Sequence, residues 1–208
     1  MDKGQSFWDK QSARYDQQSL SRFAKVYADV IAYTRKYLQT THVVLEYACG
    51  TGITTVELAT AVQQMHAIDY SSQMIIAARQ KAADSALVNV EFAVATLDDP
   101  MLQSAFYDVV TAFNVLGYLP DCEGELQRIH TLLKSGGLFI SATDCWGERR
   151  APVGALMALG RKCGLLPFMR PFSIRALSET ISSAGFRIVE ACNLHAGEPN
   201  YFIAAVKD

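Results

Sequence analysis

The chain has 208 residues, half of them hydrophobic, and its 19 lysines and arginines against 21 aspartates and glutamates give a formal net charge of −2. This length suits one domain with a full hydrophobic core, and the apolar fraction excludes a disordered chain. The charge balance argues against nucleic acid as a partner, because dedicated nucleic-acid-binding proteins usually carry a clear basic excess.

The cysteines and histidines predict neither a disulfide framework nor a metal site. Five cysteines are scattered without C-x-x-C spacing, and the four histidines are isolated in the sequence. This usage favours a reducing compartment. The N-terminal residues are polar, and no apolar run approaches the roughly 20 residues of a membrane span, so we expect a cytoplasmic protein. The residues carry no signal for the oligomeric state.

Hydrophobic periodicity predicts alternating helices and strands. In chain order the predicted elements are helix 19–38, strand 42–47, helix 54–62, strand 65–69, helix 73–83, strand 90–94, strand 106–113, helix 121–134, strand 138–142, helix 173–184, strand 186–191 and strand 201–206. This alternation indicates βαβ units, and hence an α/β fold with a parallel sheet covered by helices on both faces. The two closing strands have no helix between them and are expected to be antiparallel to each other.

A glycine-containing turn follows the first predicted strand and leads into a helix. Gly50 and Gly52 allow a tight turn and the close approach of a ligand to the main chain. Asp69 ends the next strand, 19 residues after Gly50, where a carboxylate can accept both hydroxyls of a ribose. Thr55 replaces the third glycine of a dinucleotide-binding fingerprint. Glu46 would repel a pyrophosphate but suits a ligand with an ammonium or sulfonium charge.

Several segments resemble the class I S-adenosylmethionine-dependent methyltransferases. LEYACGTG (45–52) is similar to their first motif, [D/E]-x-G-x-G-x-G, with Ala48 at the first glycine. AIDYSSQMI (67–75) resembles the second-strand segment, and FYDVVTAFNVLGYLPD (106–121) resembles the fourth-strand motif. LLKSGGLFIS (132–141) is similar to the segment leading into strand five, and FWDKQSARYD (7–16) resembles an N-terminal cap of many small-molecule members.

The resemblance implies a Rossmann-like three-layer sandwich with a seven-stranded mixed sheet of order 3-2-1-4-5-7-6, its last strand antiparallel. Residues 1–208 would form a single methyltransferase domain, with a helical cap over 1–38 and a lid-like excursion over 146–172. The implied cofactor is S-adenosyl-L-methionine, with S-adenosyl-L-homocysteine as its product.

The resemblance also implies a set of cofactor contacts. The turn and Glu46 would hold the methionine part, Asp69 the ribose, and Tyr70 with Asp98 the adenine, with Thr96 as the alternative to Asp98. Tyr15 would belong to a lid over the cofactor. The expected cofactor-binding residues are Glu46, Ala48, Gly50, Gly52, Asp69, Tyr70, Met74, Thr96, Leu97, Asp98, Asn114 and Tyr15. Cys49 is expected to be a buried packing residue, because no base accompanies it.

The segment 149–175 contains six basic residues and no acidic one. It follows the fifth strand, so it should lie over the pocket at the carboxyl edge of the sheet. It is either a partly packed excursion, a lid that recruits an anionic or amphiphilic acceptor, or a contact with a partner or membrane surface. The expected acceptor contacts are Arg14, Tyr118, Arg149 and Arg150. If the lid reading holds, neutralising Arg149 and Arg150 should raise the KM for the acceptor.

The predicted function is methyl transfer from S-adenosylmethionine to a small acceptor. No catalytic base is assigned, since an activated methyl donor needs chiefly a close and aligned nucleophile. Gly117 and Tyr118 stand where many relatives have a histidine pair. A non-catalytic S-adenosylmethionine-binding partner and an NAD-dependent oxidoreductase remain as alternatives.

Overall fold

The computed structural model describes residues 3–148, 160, 167–195 and 200–208. The helices are α1 (Lys3–Arg35), α2 (Ile53–Leu58), α3 (Ser72–Asp84), α4 (Cys122–Leu132) and α5 (Ile174–Ser183). The strands are β1 (Val43–Tyr47), β2 (Gln64–Asp69), β3 (Val90–Val94), β4 (Tyr107–Phe113), β5 (Leu133–Asp144), β6 (Phe186–Asn193) and β7 (Asn200–Lys207). Within these ranges, no helix combines the length and apolar character needed to cross a bilayer.

The seven strands form one sheet of order β3-β2-β1-β4-β5-β7-β6, which confirms the predicted order. Strands β1 to β5 pair in parallel, and β7 is antiparallel to both of its neighbours, β5 and β6. Since β1 lies between β2 and β4, the chain reverses direction across the sheet at β1. The turns that follow β1 and β4 therefore lie side by side at the carboxyl edge, where open α/β sheets bind ligands.

Two hydrophobic cores cover the two faces of the sheet. In β1, Leu45 and Tyr47 face the core that contains α4 and α5, whereas Val44 faces the core under α1 and α2. Every one of these side chains is buried. Near-continuous apolar strands are required here because helices cover both faces.

Side-chain caps set the starts of three helices. The Ser71 hydroxyl accepts a hydrogen bond from the Met74 N–H at the start of α3, and the Ser173 hydroxyl caps α5 in the same way. Asp121 accepts from the Gly124 N–H at the start of α4. Serine and aspartate are favoured at these positions because their side-chain oxygens satisfy N–H groups that have no partner within the helix.

Three elements differ from the predictions. Helix α1 begins at Lys3 rather than at residue 19, and its backbone is non-helical at Phe23. The first half of α1 is polar, so its helical state rests on contacts with α2 and α3 rather than on an apolar stripe. Helix α2 ends at Leu58 and continues as a short 3-10 turn, Ala59–Ala61. Strand β5 begins at Leu133 rather than at residue 138 and ends at Asp144, and its register with β4 is irregular between Leu133 and Leu138.

Candidate functional site

The turn after β1 uses left-handed backbone at three positions. Ala48, Gly50 and Gly52 have φ values of +56°, +55° and +76°. The two glycines adopt this region without steric cost, whereas Ala48 occupies it at a cost of roughly 1 kcal/mol. Ala48 thus departs from the glycine of the family motif at a position where glycine would be unstrained.

The two glycines have different surroundings. A Cβ on Gly52 would lie 3.1 Å from the Cβ of Ala78, so this glycine lets the turn pack closely on α3. A Cβ on Gly50 would meet nothing within 4 Å. The main chain at Gly50 therefore borders open space, as required where a ligand approaches the backbone.

Asp69 joins this turn to the end of β2. Its Oδ2 accepts a hydrogen bond from the Gly50 N–H at 2.9 Å, and its Oδ1 accepts one from the Ser71 N–H at 2.8 Å. The side chain is 6% exposed, and burial raises the pKa of its carboxyl group above the ordinary value. A carboxylate has about four lone-pair sites, so two remain for ligand hydroxyls.

The carboxylate of Glu46 lies deeper than expected. It is 1% exposed and accepts hydrogen bonds from the hydroxyls of Thr54 and Thr55 at the start of α2. Burial raises the pKa of Glu46 from 4.5 to about 7, although both threonine hydrogen bonds favour the charged form. The hydrogen bond that Thr55 donates to Glu46 gives a structural role to this residue, which stands where a dinucleotide-binding fingerprint has its third glycine.

A cavity of about 600 Å³ opens at the carboxyl edge of the sheet. It lies beside the turn after β1, the end of β2 and the end of β4. Its lining combines a few polar groups with many aromatic and apolar side chains. The lining residues are Gly4, Phe7, Trp8, Tyr15, Tyr47, Ala48, Gly50, Asp69, Tyr70, Met74, Ala95, Thr96, Phe113, Asn114, Val115, Tyr118, Leu119, Pro120, Glu125, Pro167 and Phe168.

A much smaller cavity, of about 30 Å³, lies beside the large one. Tyr15, Ala48, Gly50 and Asn114 border both cavities, while Glu46 borders only the small one. Any contact between Glu46 and a ligand would thus have to run through the small cavity.

The first half of α1 is fixed over the large cavity by polar contacts. The Gln5 side chain donates to the backbone oxygen of Tyr70 at 2.9 Å, and the Ser71 hydroxyl donates to Asp9 at 2.6 Å. Asp16 accepts from the Thr51 hydroxyl and pairs with Lys81 at 2.6 Å. These contacts connect α1 to the turn after β1 and to α3, so the cavity has a wall on this side.

Aromatic rings form that wall. The Trp8 ring lies edge-on to Tyr118 with centroids 5.2 Å apart, and it also contacts Phe7 and Tyr15. Burial raises the pKa of the Tyr15 and Tyr118 hydroxyls, which are therefore neutral at physiological pH. A wall of neutral rings suits apolar groups, and its ring faces suit cations.

The structure brings most of the predicted site residues together. Nine of them line the large cavity: Tyr15, Ala48, Gly50, Asp69, Tyr70, Met74, Thr96, Asn114 and Tyr118. Among the predicted residues, Glu46, Gly52, Leu97, Asp98 and Arg14 do not line it. Arg149 and Arg150, with most of the basic segment, lie outside the described residues.

Three of the predicted residues that do not line the cavity lie elsewhere for simple physical reasons. Leu97 is fully buried in the core between the sheet and α4, and Asp98 is exposed on the loop after β3. Thr96, the alternative to Asp98, lines the cavity. Arg14 is exposed on α1, one position away from Tyr15, because neighbouring residues on a helix point to different sides.

Sequence reasoning missed several lining residues, among them Trp8 and Glu125. Glu125 lies in the first turn of α4, and burial raises the pKa of its carboxyl group against an opposing hydrogen bond from Tyr47. Trp8 stands within the segment that resembles an N-terminal cap, and an isolated tryptophan in a polar segment was an available signal. Glu125 gave none, since acidic residues are common in first turns.

The strain at Ala48 leads to a stability prediction. Ala86 has a similar φ of +51° on an exposed loop outside the cavity, so it is a matched control. We expect Ala86→Gly to raise the free energy of unfolding by about 0.5–1 kcal/mol, and Ala48→Gly by somewhat less because its methyl group packs on the core. Denaturant unfolding would measure both changes. A destabilised Ala48→Gly beside a stabilised Ala86→Gly would contradict a strain-dominated effect at Ala48.

The described site fits an adenosine ligand with a cationic sulfur better than a dinucleotide. Asp69 offers free acceptor sites for ribose hydroxyls, and Gly50 leaves room beside the main chain. Asp69 and Glu125 are the charged residues of the described lining, which contains no lysine or arginine to neutralise a pyrophosphate. No three potential metal ligands converge within the described ranges.

A family model described as a methyltransferase domain matches residues 44–137. The chain is similar to the ubiquinone biosynthesis O-methyltransferase of Methylocella silvestris, with 30% identity over 180 residues that cover 79% of this chain and 70% of the relative. It is also 32% identical to the enzyme of that name from Xanthomonas axonopodis pv. citri, over 49% of this chain. The chain spans only 43% of the length of the Xanthomonas relative.

Solved structures share the fold. A methyltransferase in complex with the Trm112 activator of Haloferax volcanii superposes with a TM-score of 0.79 at 17% identity, covering 96% of this chain and 97% of that one. A DhpI–SAH complex superposes with a TM-score of 0.75 at 22% identity, covering 98% and 94%. Together with the Methylocella relative, the sheet order and the site, these matches show that the chain belongs to the class I S-adenosylmethionine-dependent methyltransferases.

Proposed function

We propose that this protein binds S-adenosylmethionine in the large cavity and transfers its methyl group to a small acceptor molecule. The observation that carries the proposal is the position of the Asp69 carboxylate, which is buried, bonded to the glycine turn and exposed to the cavity at the carboxyl edge of the sheet. Family membership supports the same activity.

Different residues around the cavity would bind different parts of the ligand. The main chain at Ala48 and Gly50 adjoins the amino-acid end, and Asp69 accepts hydrogen bonds from the ribose. Tyr70, Met74 and Thr96 lie beyond Asp69 and would surround the adenine. The predicted role of Glu46 becomes indirect, because its hydrogen bonds to Thr54 and Thr55 fix the start of α2 behind the turn.

When bound, the cofactor supplies a methyl group on a sulfonium sulfur that is already activated for in-line displacement. The protein then has to orient the acceptor and exclude water. Helix α1 excludes water by closing one side of the cavity, and the rings of Trp8 and Tyr118 give an acceptor an aromatic surface to pack against. Their π faces also stabilise positive charge at the cavity.

The acceptor is proposed to be a small molecule with apolar character. The cavity volume of about 600 Å³ must hold the cofactor as well, and the aromatic wall suits an amphiphilic ring or chain. The names of the Xanthomonas and Methylocella relatives refer to O-methylation in ubiquinone biosynthesis, which is chemistry of this kind. Binding of an anionic acceptor would depend on Arg149 and Arg150. The expected rise in the KM for the acceptor when these arginines are neutralised stays a prediction.

Calorimetric titration with S-adenosylmethionine, S-adenosylhomocysteine and NAD tests the cofactor. We expect both sulfur nucleosides to bind and NAD to bind weakly or not at all, because the charged residues of the described lining are Asp69 and Glu125, whose carboxylates would repel a pyrophosphate. Tight binding of NAD without binding of the sulfur nucleosides would overturn the proposal.

Incubation with a methyl-labelled donor and a metabolite extract tests catalysis. Label in a small molecule is the expected result. If the protein binds the donor but transfers no label to any fraction of a complete extract, it is a non-catalytic binding protein rather than an enzyme.

A further inference from the structure

Three polar side chains meet where β4 and β5 end and β7 begins. Asn200 is the first residue of β7 and pairs in register with Asp144, the last residue of β5. The Nδ2 atom of Asn200 lies 2.8 Å from Oδ1 of Asp144 and 2.8 Å from Oδ1 of Asn114. Asn200 is 3% exposed, so its amide has little access to water.

The chemistry of these groups fixes both amide orientations. An ionised carboxylate only accepts hydrogen bonds, so the amide atom of Asn200 that faces Asp144 must be the nitrogen. The second hydrogen of this nitrogen then points to Asn114, whose oxygen accepts it. The opposite orientation of Asn200 would place its oxygen against two acceptor oxygens. In the orientation that the structure has, Oδ1 of Asn200 has no hydrogen-bond partner among the described residues.

The position of Asn114 gives this orientation a consequence at the site. Its backbone is left-handed, with φ of +53°, and its N–H donates to the oxygen of Ala142 at 2.7 Å. The residue borders both the large and the small cavity. Since its side-chain oxygen already accepts a hydrogen bond from Asn200, the NH₂ group is the part of the Asn114 amide that is left to bind a ligand.

We infer that Asn200 is a positioning residue that makes Asn114 a hydrogen-bond donor to the carboxylate of the cofactor's amino-acid end. This rests on the proposed function, which places that end at the glycine turn, beside Asn114. A donor at this point binds a carboxylate and is unfavourable for an ammonium group. Asp144 acts through the same chain, as the acceptor that sets the orientation of Asn200.

The test compares S-adenosylhomocysteine with its decarboxylated analogue, which lacks only the carboxylate, by calorimetry. A hydrogen bond to a charged group is strong enough that we expect the wild-type protein to prefer S-adenosylhomocysteine by tenfold or more. In Asn200→Ala, the Asn114 amide is free to turn, and the preference should fall by at least fivefold. Asn89 is the matched control, because its Nδ2 donates to the oxygens of Ala59 and Val62 away from the cavity. Asn89→Ala should lower stability and keep the preference.

A second variant covers the case in which Asn200→Ala does not fold. Asn114→Asp retains an acceptor for Asn200 and replaces the donor that is left for the ligand with an acceptor that carries a negative charge. We expect it to weaken S-adenosylhomocysteine more than tenfold and to bind the decarboxylated analogue at least as well as the wild type does. Equal losses for both ligands, or an unchanged preference in either variant, would overturn this inference. Failure of the wild-type protein to bind S-adenosylhomocysteine would instead overturn the proposed function.

Discussion

Replacing Asp69 with alanine is expected to weaken the binding of S-adenosylmethionine and S-adenosylhomocysteine by about a hundredfold or more. Two ribose hydroxyls lose a buried charged acceptor, and each such hydrogen bond contributes roughly 1.5–3 kcal/mol. The N–H groups of Gly50 and Ser71 also lose their partner, so the turn itself becomes less well ordered. Calorimetric titration of the folded variant measures the loss directly.

Asp108 provides the control for the structural part of this effect. Its carboxylate accepts from the Val43 N–H at 2.8 Å and pairs with Lys134 at 2.6 Å, at the opposite end of the sheet. Asp108→Ala should lower stability and leave nucleoside affinity within about twofold. Wild-type affinity in Asp69→Ala would show that Asp69 serves the turn and does not bind ribose.

Raising the pH from 4.5 to 7 is expected to cost the protein about 3 kcal/mol of stability through Glu46 alone. The folded state raises the pKa of this carboxyl group from 4.5 to about 7, so between these values the folded state holds a proton that the unfolded state has lost. The contribution is complete below pH 4.5 and is lost as the pH rises through the folded pKa. Above pH 7 the contribution of Glu46 becomes constant.

Comparison with Glu46→Gln isolates this contribution. The amide stays neutral at every pH and keeps an acceptor for Thr54 or Thr55, so the variant should match the wild type near pH 5 and exceed it in stability at pH 8. Glu57→Gln, on the exposed side of α2, controls for the change in net charge. Denaturant unfolding at several pH values gives the curves. Parallel curves for wild type and Glu46→Gln would refute the assignment.

Much of the architecture could be predicted because each strand has a recognisable local sequence pattern. Short β-branched runs bounded by turn residues gave β1, β2 and β3 to within a residue or two, and the resemblance supplied their order. Asp69 and Gly50 could be placed because they follow strands directly, and the strand end fixes where such residues lie.

The remainder depended on contacts that sequence does not encode locally. Asp98 and Thr96 differ by two positions on one exposed loop, and only the path of the folded loop decides that Thr96 lines the cavity while Asp98 does not. The first half of α1 is helical because it lies on α3 and the turn after β1, which are distant in sequence. Asn200 was overlooked because its role depends on the register of β7 against β5, which places it opposite Asp144, 56 positions away in sequence.

Strand β7 follows β6 in sequence but lies between β5 and β6 in the sheet. During synthesis β6 therefore has no strand to pair with until residues 200–207 have emerged from the ribosome. The packing of α1 on β7 is delayed in the same way, since Tyr33 of α1 packs against Phe202 of β7 with ring centroids 5.4 Å apart. An early helix and a strand made much later must thus meet before the sheet is complete, and pairings over such long separations are intrinsically slow to form. A nascent chain stalled before β7 would expose the edge of β5 and the part of α1 around Tyr33, and such exposed apolar surface and unpaired strand edges are prone to aggregation.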